Sequence, residues 1–243
     1  MFILLRLLLA HFIGDFPLQF NKIYTLKQRG LLGNVPHVLI IMGSFIAFCW
    51  PYLNIPGIWG FILFLSIVHL FQDSIKVGYK GFKYGFWLYL LDQFFHVGLI
   101  ALVLFTDLRD LPKPSNSHIL FVALYNDNLL IVYLIALILA TYNGYYMIRS
   151  IKNTILKKMC SCVNAEKWYG MFERAALVSV FLLDKYIFLY ICGILLLRPL
   201  VFACCRKRLS LNEDFIAGSE ALMSWAFAIF FGLLLFIVKR YFM

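Results

Sequence analysis

Long apolar runs separated by short polar connectors dominate this sequence. A helix needs about 20 predominantly apolar residues to cross the hydrocarbon core of a bilayer. Runs of this kind lie near residues 2–20, 37–54, 57–77, 86–106, 127–148, 174–198 and 216–238. The pattern therefore predicts an all-α, polytopic transmembrane helix bundle of about seven spans, or six if the 174–198 segment does not cross.

A polar, proline-containing stretch at 107–117 interrupts the apolar runs near the middle of the chain. Clusters of Pro, Asp, Ser and Asn typically form loops between regular elements. The predicted organisation is a four-helix membrane region (1–106), a polar loop that re-enters the membrane (107–126), and C-terminal membrane helices (127–243) with a basic cytoplasmic loop (149–173).

The composition supports a lipid environment. Hydrophobic residues make up 63% of the chain and charged residues 14%, whereas ordinary soluble domains have roughly half and a quarter. The net charge of +10 comes from Lys and Arg gathered in the connectors, which is typical of loops facing an anionic cytoplasmic leaflet. We therefore predict a multi-pass protein of the cell membrane whose partner is the bilayer and not nucleic acid. The pattern leaves the oligomeric state open.

The distribution of basic residues also predicts an orientation. The connectors after the first, third and fifth runs are basic, with Lys27 in the first of them, so we place these connectors in the cytoplasm and the N-terminus outside. The sixth run fits less well, because Asp184 and Lys185 lie near its centre and basic residues follow it. At its start, neighbouring Glu173 and Arg174 are expected to form a local ion pair.

Histidine and aspartate occur in pairs inside three of the apolar runs. The pairs are His11 with Asp15, His69 with Asp73, and Asp92 with His96. A spacing of four residues places both side chains of a pair on one face of a helix. The order reverses in the returning fourth span, which brings all three pairs to a similar depth and predicts one cluster. Ionisable groups inside a membrane are costly and often mark functional sites.

Imidazole and carboxylate groups are common ligands of Zn, Mn and Fe ions. We therefore predict a divalent metal ion (Zn, Mn or Fe) bound by His11, Asp15, His69, Asp73, Asp92 and His96, with His37, Gln19, Gln93 and Lys76 as further candidates. Such an ion activates water, so the chemistry expected is metal-dependent hydrolysis or a related transfer on a lipid-borne substrate. No individual catalytic residue is assigned.

Two other functions fit the same residues. Intramembrane His and Asp groups also carry protons or cations in transporters and channels. Alternatively, each pair only specifies helix packing in a non-catalytic membrane subunit. The sequence contains no P-loop, no Gly-x-Ser-x-Gly element and no His-Glu-x-x-His element, so it does not decide among these alternatives.

Several of these segments resemble a known family. The segment LAHFIGDFPLQ at 9–19, His37, the His69–Asp73 pair with Lys76, and the segment from Phe86 to His96 resemble domain-of-unknown-function family 3307. In the C-terminal half, GMFER at 170–174, Leu197-Arg198, Glu213-Asp214-Phe215 and the segment 218–224 are similar to further elements of that family. The resemblance implies a polytopic protein of the bacterial inner membrane that carries the His/Asp set. It names no reaction.

Overall fold

The computed structural model describes residues 1–78, 85–115, 120–156, 164–183, 185–209 and 218–242. These residues form α-helices joined by turns and short 3₁₀ segments, and the described part of the chain contains no β-strand. The predicted all-α class is therefore confirmed. The chain divides into two compact units, Met1–Ile135 and Ala136–Met243.

The N-terminal unit is built around a central helix that packs against two others. Its helices are α1 (Phe2–Asp15), α2 (Asn21–Lys27), α3 (Leu31–Phe48), α4 (Pro56–Gly78), α5 (Gly85–Ala101) and α6 (Leu120–Asn126), followed by α7 (Asn128–Ile138). Helix α3 contacts both α1 and α4. Buried Leu7, Ile41, Phe45 and Ile62 belong to the core formed by these helices. Pro56 is the first residue of α4, where its missing N–H costs no helical hydrogen bond.

Helices α1 and α3 approach closely at Gly14. A Cβ atom at Gly14 would lie 2.6 Å from Cδ1 and 3.2 Å from Cα of Ile41. The first of these atoms ends a flexible side chain, but the second belongs to the backbone of α3. Glycine therefore allows a close approach of the two helices next to Asp15, and a larger residue would push them apart.

We expect Gly14→Ala to destabilise the protein by about 1–3 kcal/mol, because an added methyl group overpacks the contact with Ile41. Gly43→Ala is the matched control, since, outside the adjoining turns of α3, no atom of the described residues lies within 4 Å of a Cβ built at Gly43. Alanine there should be neutral or slightly stabilising through its better helix propensity. Thermal unfolding of both variants in detergent tests this difference, and equal midpoints would contradict it.

Among its described residues, the C-terminal unit contains a π-helical segment followed by four further helices. These elements are the π segment (Leu139–Asn143), α8 (Gly144–Leu156), α9 (Asn164–Val180), α10 (Ile187–Leu209) and α11 (Ser219–Phe242). Helix α9 packs against α10, α11 and the π segment. Residues 149–156 and 164–173 are thus helical, where the sequence predicts a cytoplasmic loop.

A buried ion pair joins α9 to α10. The carboxylate of Glu173 accepts hydrogen bonds from Nε of Arg198 at 3.0 Å and from Nη2 at 2.6 Å. It also accepts one from the indole N–H of Trp225 at 3.1 Å. Both charged side chains are almost completely buried, so the pair is shielded from water.

Arg174 bonds to the π segment and not to its neighbour in sequence. Its guanidinium donates to the main-chain oxygens of Ala140 and Thr141 and to the hydroxyl of Ser224. The predicted local pair of Glu173 with Arg174 is therefore corrected. Adjacent helical residues do not face each other, so the two side chains find different partners.

Six helices in the described ranges are long and apolar enough to cross a membrane. They are Leu31–Phe48, Pro56–Lys76, Gly85–Phe105, Asn128–Ile155, Ile187–Cys205 and Glu220–Tyr241. Their number agrees with the lower of the two predicted counts. Their length and composition indicate a membrane protein.

Two of the predicted spans, 2–20 and 174–198, differ from the helices that the structure shows. Helix α1 has 14 residues and is about 21 Å long, so it does not cover the roughly 30 Å of a bilayer core. The predicted 174–198 span is divided between α9 and α10. The break includes Tyr186, whose φ of 60° lies in the left-handed region that an α-helix cannot continue through. Asp184, named in the prediction, lies outside the described residues.

Candidate metal centre

Four helices place their polar residues at one end of the N-terminal unit. Asp15 is the last residue of α1, and His37 lies in the second turn of α3. His69 and Asp73 are one turn apart near the end of α4, and the Asp92–His96 pair spans the middle of α5. These positions come together because the chain reverses direction between successive helices.

Four ligand atoms converge at the centre of this cluster, and we call Asp15, His37, His69 and Asp73 the primary set. Nε2 of His37 lies 3.1 Å from Oδ1 of Asp15 and 3.4 Å from Oδ2 of Asp73. It also lies 3.3 Å from Nε2 of His69. Nε2 of His69 in turn lies 3.1 Å from Oδ2 of Asp73 and 3.9 Å from Oδ1 of Asp15. All four residues are buried.

Hydrogen bonding alone does not account for these contacts. Nε2 of His37 has two carboxylate oxygens, the imidazole nitrogen of His69 and the amide nitrogen of Gln19 within 3.4 Å. A ring nitrogen carries at most one hydrogen, so it cannot donate to all of its acceptor neighbours at full strength. The remaining lone pairs face one another across a short distance. A cation among them removes this repulsion.

The spacing also fits metal coordination. Zinc ligands lie about 2.0–2.1 Å from the ion, and a tetrahedral arrangement separates them from one another by about 3.3–3.4 Å. The separations given above within the primary set run from 3.1 to 3.9 Å, and all four atoms lie within 4.8 Å of one another. The primary set could therefore hold one divalent metal ion.

A second group shares one residue with the first. Asp73, Asp92 and His96 also offer ligand atoms within 4.8 Å of one another, and we call these three residues the secondary set. Nδ1 of His96 donates to the main-chain oxygen of Asp92 at 2.8 Å, because a carbonyl oxygen only accepts. The other ring nitrogen therefore keeps its lone pair in the neutral imidazole. The rings of His69 and His96 lie 4.4 Å apart between centroids.

Two lysines contact the carboxylates of the cluster. Nζ of Lys27, at the end of α2, lies 2.5 Å from Oδ2 of Asp73. Lys76 forms an ion pair with Asp92. The described cluster contains three carboxylates, those of Asp15, Asp73 and Asp92, and the two ammonium groups of the lysines. When the imidazoles are neutral, one negative charge is therefore uncompensated. That charge favours a bound cation.

The remaining predicted residues lie around these two sets. The ring of His11 stands 5.1 Å from that of His96 and 5.5 Å from that of His69, and its Nε2 lies 4.0 Å from Oδ2 of Asp15. His11 thus belongs to neither converging group. Gln19 contacts His37, and the side-chain amide of Gln93 donates to Asp92 at 3.1 Å.

Two features of the cluster were underestimated from sequence. His37 is predicted only as a further candidate ligand because the apolar run appears to start there, but α3 begins at Leu31 and buries His37 six residues inside the helix. Lys27 was counted only as a connector charge. Its position at the end of the short helix α2 brings a buried ammonium group to Asp73, and the sequence contains no signal that distinguishes it from neighbouring Lys22.

A small cavity adjoins the cluster. Its volume is about 10 Å³, which is close to the minimum for one water molecule, and its polar lining comes from His11, His69, Gln72 and His96. Nε2 of His11, Oε1 of Gln72 and Nε2 of His96 are buried without a hydrogen-bond partner among the described residues. Three such atoms are enough to hold an ordered water or a polar group of a ligand.

Residues 3–123 match the family model described as Protein of unknown function (DUF3307). The N-terminal half of the chain belongs to this family. The resemblance inferred from sequence is thereby confirmed, and every residue of the primary and secondary sets lies within the matched DUF3307 region. No curated protein and no solved structure matches the chain.

The C-terminal elements that resemble the same family lie beyond the DUF3307 match, which ends at residue 123. Gly170 to Arg174 and Leu197-Arg198 are described, and Glu173 and Arg198 of these two elements form the buried ion pair. The third element, Glu213-Asp214-Phe215, lies outside the described residues.

Proposed function

We propose that the N-terminal unit binds one divalent metal ion through the primary set, and that the protein is a metal-dependent hydrolase or transferase of the bacterial inner membrane acting on a lipid-borne substrate. The convergence of four buried nitrogen and oxygen ligand atoms from three helices carries this proposal. Zn, Mn and Fe all accept this mixture of imidazole and carboxylate.

The chain supplies the surroundings that such chemistry needs. A bound divalent ion acts as a Lewis acid and makes water a stronger nucleophile at neutral pH. In hydrolysis, the water adds across an ester bond and releases an acid and an alcohol. Lys27 and Lys76 hold two of the carboxylates in place, and the buried position of the primary set limits access of bulk water.

The outer surfaces of the helices that carry the cluster support this substrate class. On α4, Phe71 and Ile75 are 55% and 77% exposed, and on α5 Phe94 is 72% exposed. Large apolar side chains on helices of this length face lipid, not water. Lipid can therefore contact the outer faces of the helices that hold the cluster, which favours a substrate that resides in the bilayer.

Metal analysis of the purified full-length protein tests the proposal most directly. We expect one tightly bound equivalent of Zn, Mn or Fe in detergent or nanodiscs after dialysis, and loss of this ion in Asp15→Asn because that substitution removes a charged ligand. Asp110→Asn is the matched control, since Asp110 is exposed and lies outside both sets.

The reaction is tested separately on the metal-loaded protein. Release of acid or alcohol from phospholipid and acyl-ester substrates in nanodiscs should depend on the ion and cease after chelation. A protein that carries no ion, and whose stability is insensitive to chelator and to added Zn, Mn or Fe, would overturn the proposal.

Two carboxylate–lysine pairs, one buried and one partly exposed, favour a second candidate function. Lys27 pairs with Asp73, and Lys76 pairs with Asp92. Such pairs inside a helix bundle occur in proteins that move protons or cations across membranes. Ion flux in liposomes that is lost in Asp73→Asn, from a protein without bound metal, would support a transporter or channel instead.

A further inference from the structure

We infer that the secondary set binds a second divalent cation, so that the cluster becomes a two-metal centre in which Asp73 bridges the two ions. This inference rests on the proposed primary ion and adds a site next to it. The carboxylate of Asp73 is common to both sets, and its two oxygens can serve one ion each.

The donor chemistry of the secondary set is that of a metal site. Asp92 supplies a carboxylate and His96 an imidazole whose tautomer is fixed by the bond from Nδ1 to the main-chain oxygen of Asp92. Metal-bound histidines commonly use their second ring nitrogen in this way. His96 is only 4% exposed, and no described residue pairs with its Nε2.

The two sets differ in the number of protein ligands that they supply to an ion. The primary set provides four protein ligands, which fill a tetrahedral site, so an ion held there would bind water only as a fifth ligand. The secondary set provides three, which leaves a coordination position open for water or substrate. The adjoining cavity is lined by His96 and by Gln72. Oε1 of Gln72 has no hydrogen-bond partner in the described part of the chain, so it can bind a water held there. Paired ions of this kind clamp both oxygens in a displacement reaction.

Lys76 competes with the second ion for Asp92. Its ammonium group contacts the carboxylate directly, while its side chain is 35% exposed and long enough to withdraw. Since two lysines already offset two of the three carboxylates, a second divalent ion adds excess positive charge. We therefore expect the second ion to bind more weakly than the first.

Titration of the purified protein with Mn²⁺, followed by elemental analysis and electron paramagnetic resonance, tests the inference. Wild-type protein should bind two ions per chain, and a shared carboxylate should give the spectrum of a spin-coupled pair. His96→Gln and Asp92→Asn should each bind only the tighter ion, which also shows that they are folded. Lys76→Met should tighten the second ion by roughly tenfold, because a nearby positive charge is removed.

The possible results separate the two proposals. Saturation at one ion in the wild type, or two ions retained in both His96→Gln and Asp92→Asn, would overturn the second site and leave the primary ion standing. Absence of any bound ion would overturn the proposed function as well. A second ion that Lys76→Met weakens would contradict the competition between Lys76 and the metal.

Discussion

We expect His69→Ala to abolish stable metal binding by the primary set. His69 contacts three other members of the set, and its loss leaves three ligands around a methyl-sized side chain. Removing residues that only orient metal ligands typically costs 10- to 100-fold in affinity, so the loss of a ligand should exceed about 100-fold. Elemental analysis after dialysis and competition with a calibrated chelator measure the effect.

His11→Ala provides the matched control for this experiment. His11 and His69 are both buried, and both substitutions remove an imidazole from the same cluster. The sequence predicts His11 as a ligand, whereas its Nε2 lies 4.0 Å from Asp15 and outside both converging groups. We expect His11→Ala to retain the ion with at most about a 100-fold loss of affinity. Equal loss in both variants would contradict the ligand set derived from the geometry.

We expect Arg198→Met to cost about 3–5 kcal/mol of stability, because it leaves the carboxylate of Glu173 buried without its cation. The side chain of Glu173 is 1% exposed, so water cannot replace the lost partner. Thermal unfolding in detergent, with the calorimetric enthalpy, measures the change. The metal content should remain that of the wild type, because Arg198 belongs to the other compact unit.

Two further variants show whether the cost arises from the uncompensated charge. Adding Glu173→Leu to Arg198→Met should recover much of the lost stability, since replacing both members of a buried pair by apolar residues is often neutral. Arg109→Met removes an arginine from the exposed pair with Asp110 and should change stability by less than about 1 kcal/mol. A double variant as unstable as Arg198→Met would show that Arg198 contributes through packing and not through charge.

The primary set was only partly predictable from sequence. The four-residue spacing identified the His69–Asp73 pair, because helical periodicity is a local property that can be counted along the chain. His37 has no acidic partner at that spacing, so nothing local reveals that it lies at the centre of the set. Its role depends on α3 beginning at Leu31 and on α3 contacting both α1 and α4.

The helix boundaries were also only partly predictable from the sequence. The apolar run at 2–20 predicts a full span, but α1 ends at Asp15. The run at 174–198 contains a break that hydropathy averages over, while the backbone at Tyr186 ends any helix. Hydropathy averages the preference for lipid over a window of many residues. The end of a helix, in contrast, depends on the backbone conformation of one or two residues.

The sequence by itself determined that this protein is an all-α membrane bundle, because its apolar residues are too abundant for a surface that faces water and are spaced in runs long enough for membrane helices. It also determined which histidine and aspartate residues share a helix face. Only the tertiary structure decided which of them meet at one point, and that His37 and Lys27 join them while His11 stays beside them. Convergence depends on the packing of helices that are distant in sequence, and spacing along a single helix carries no information about that packing.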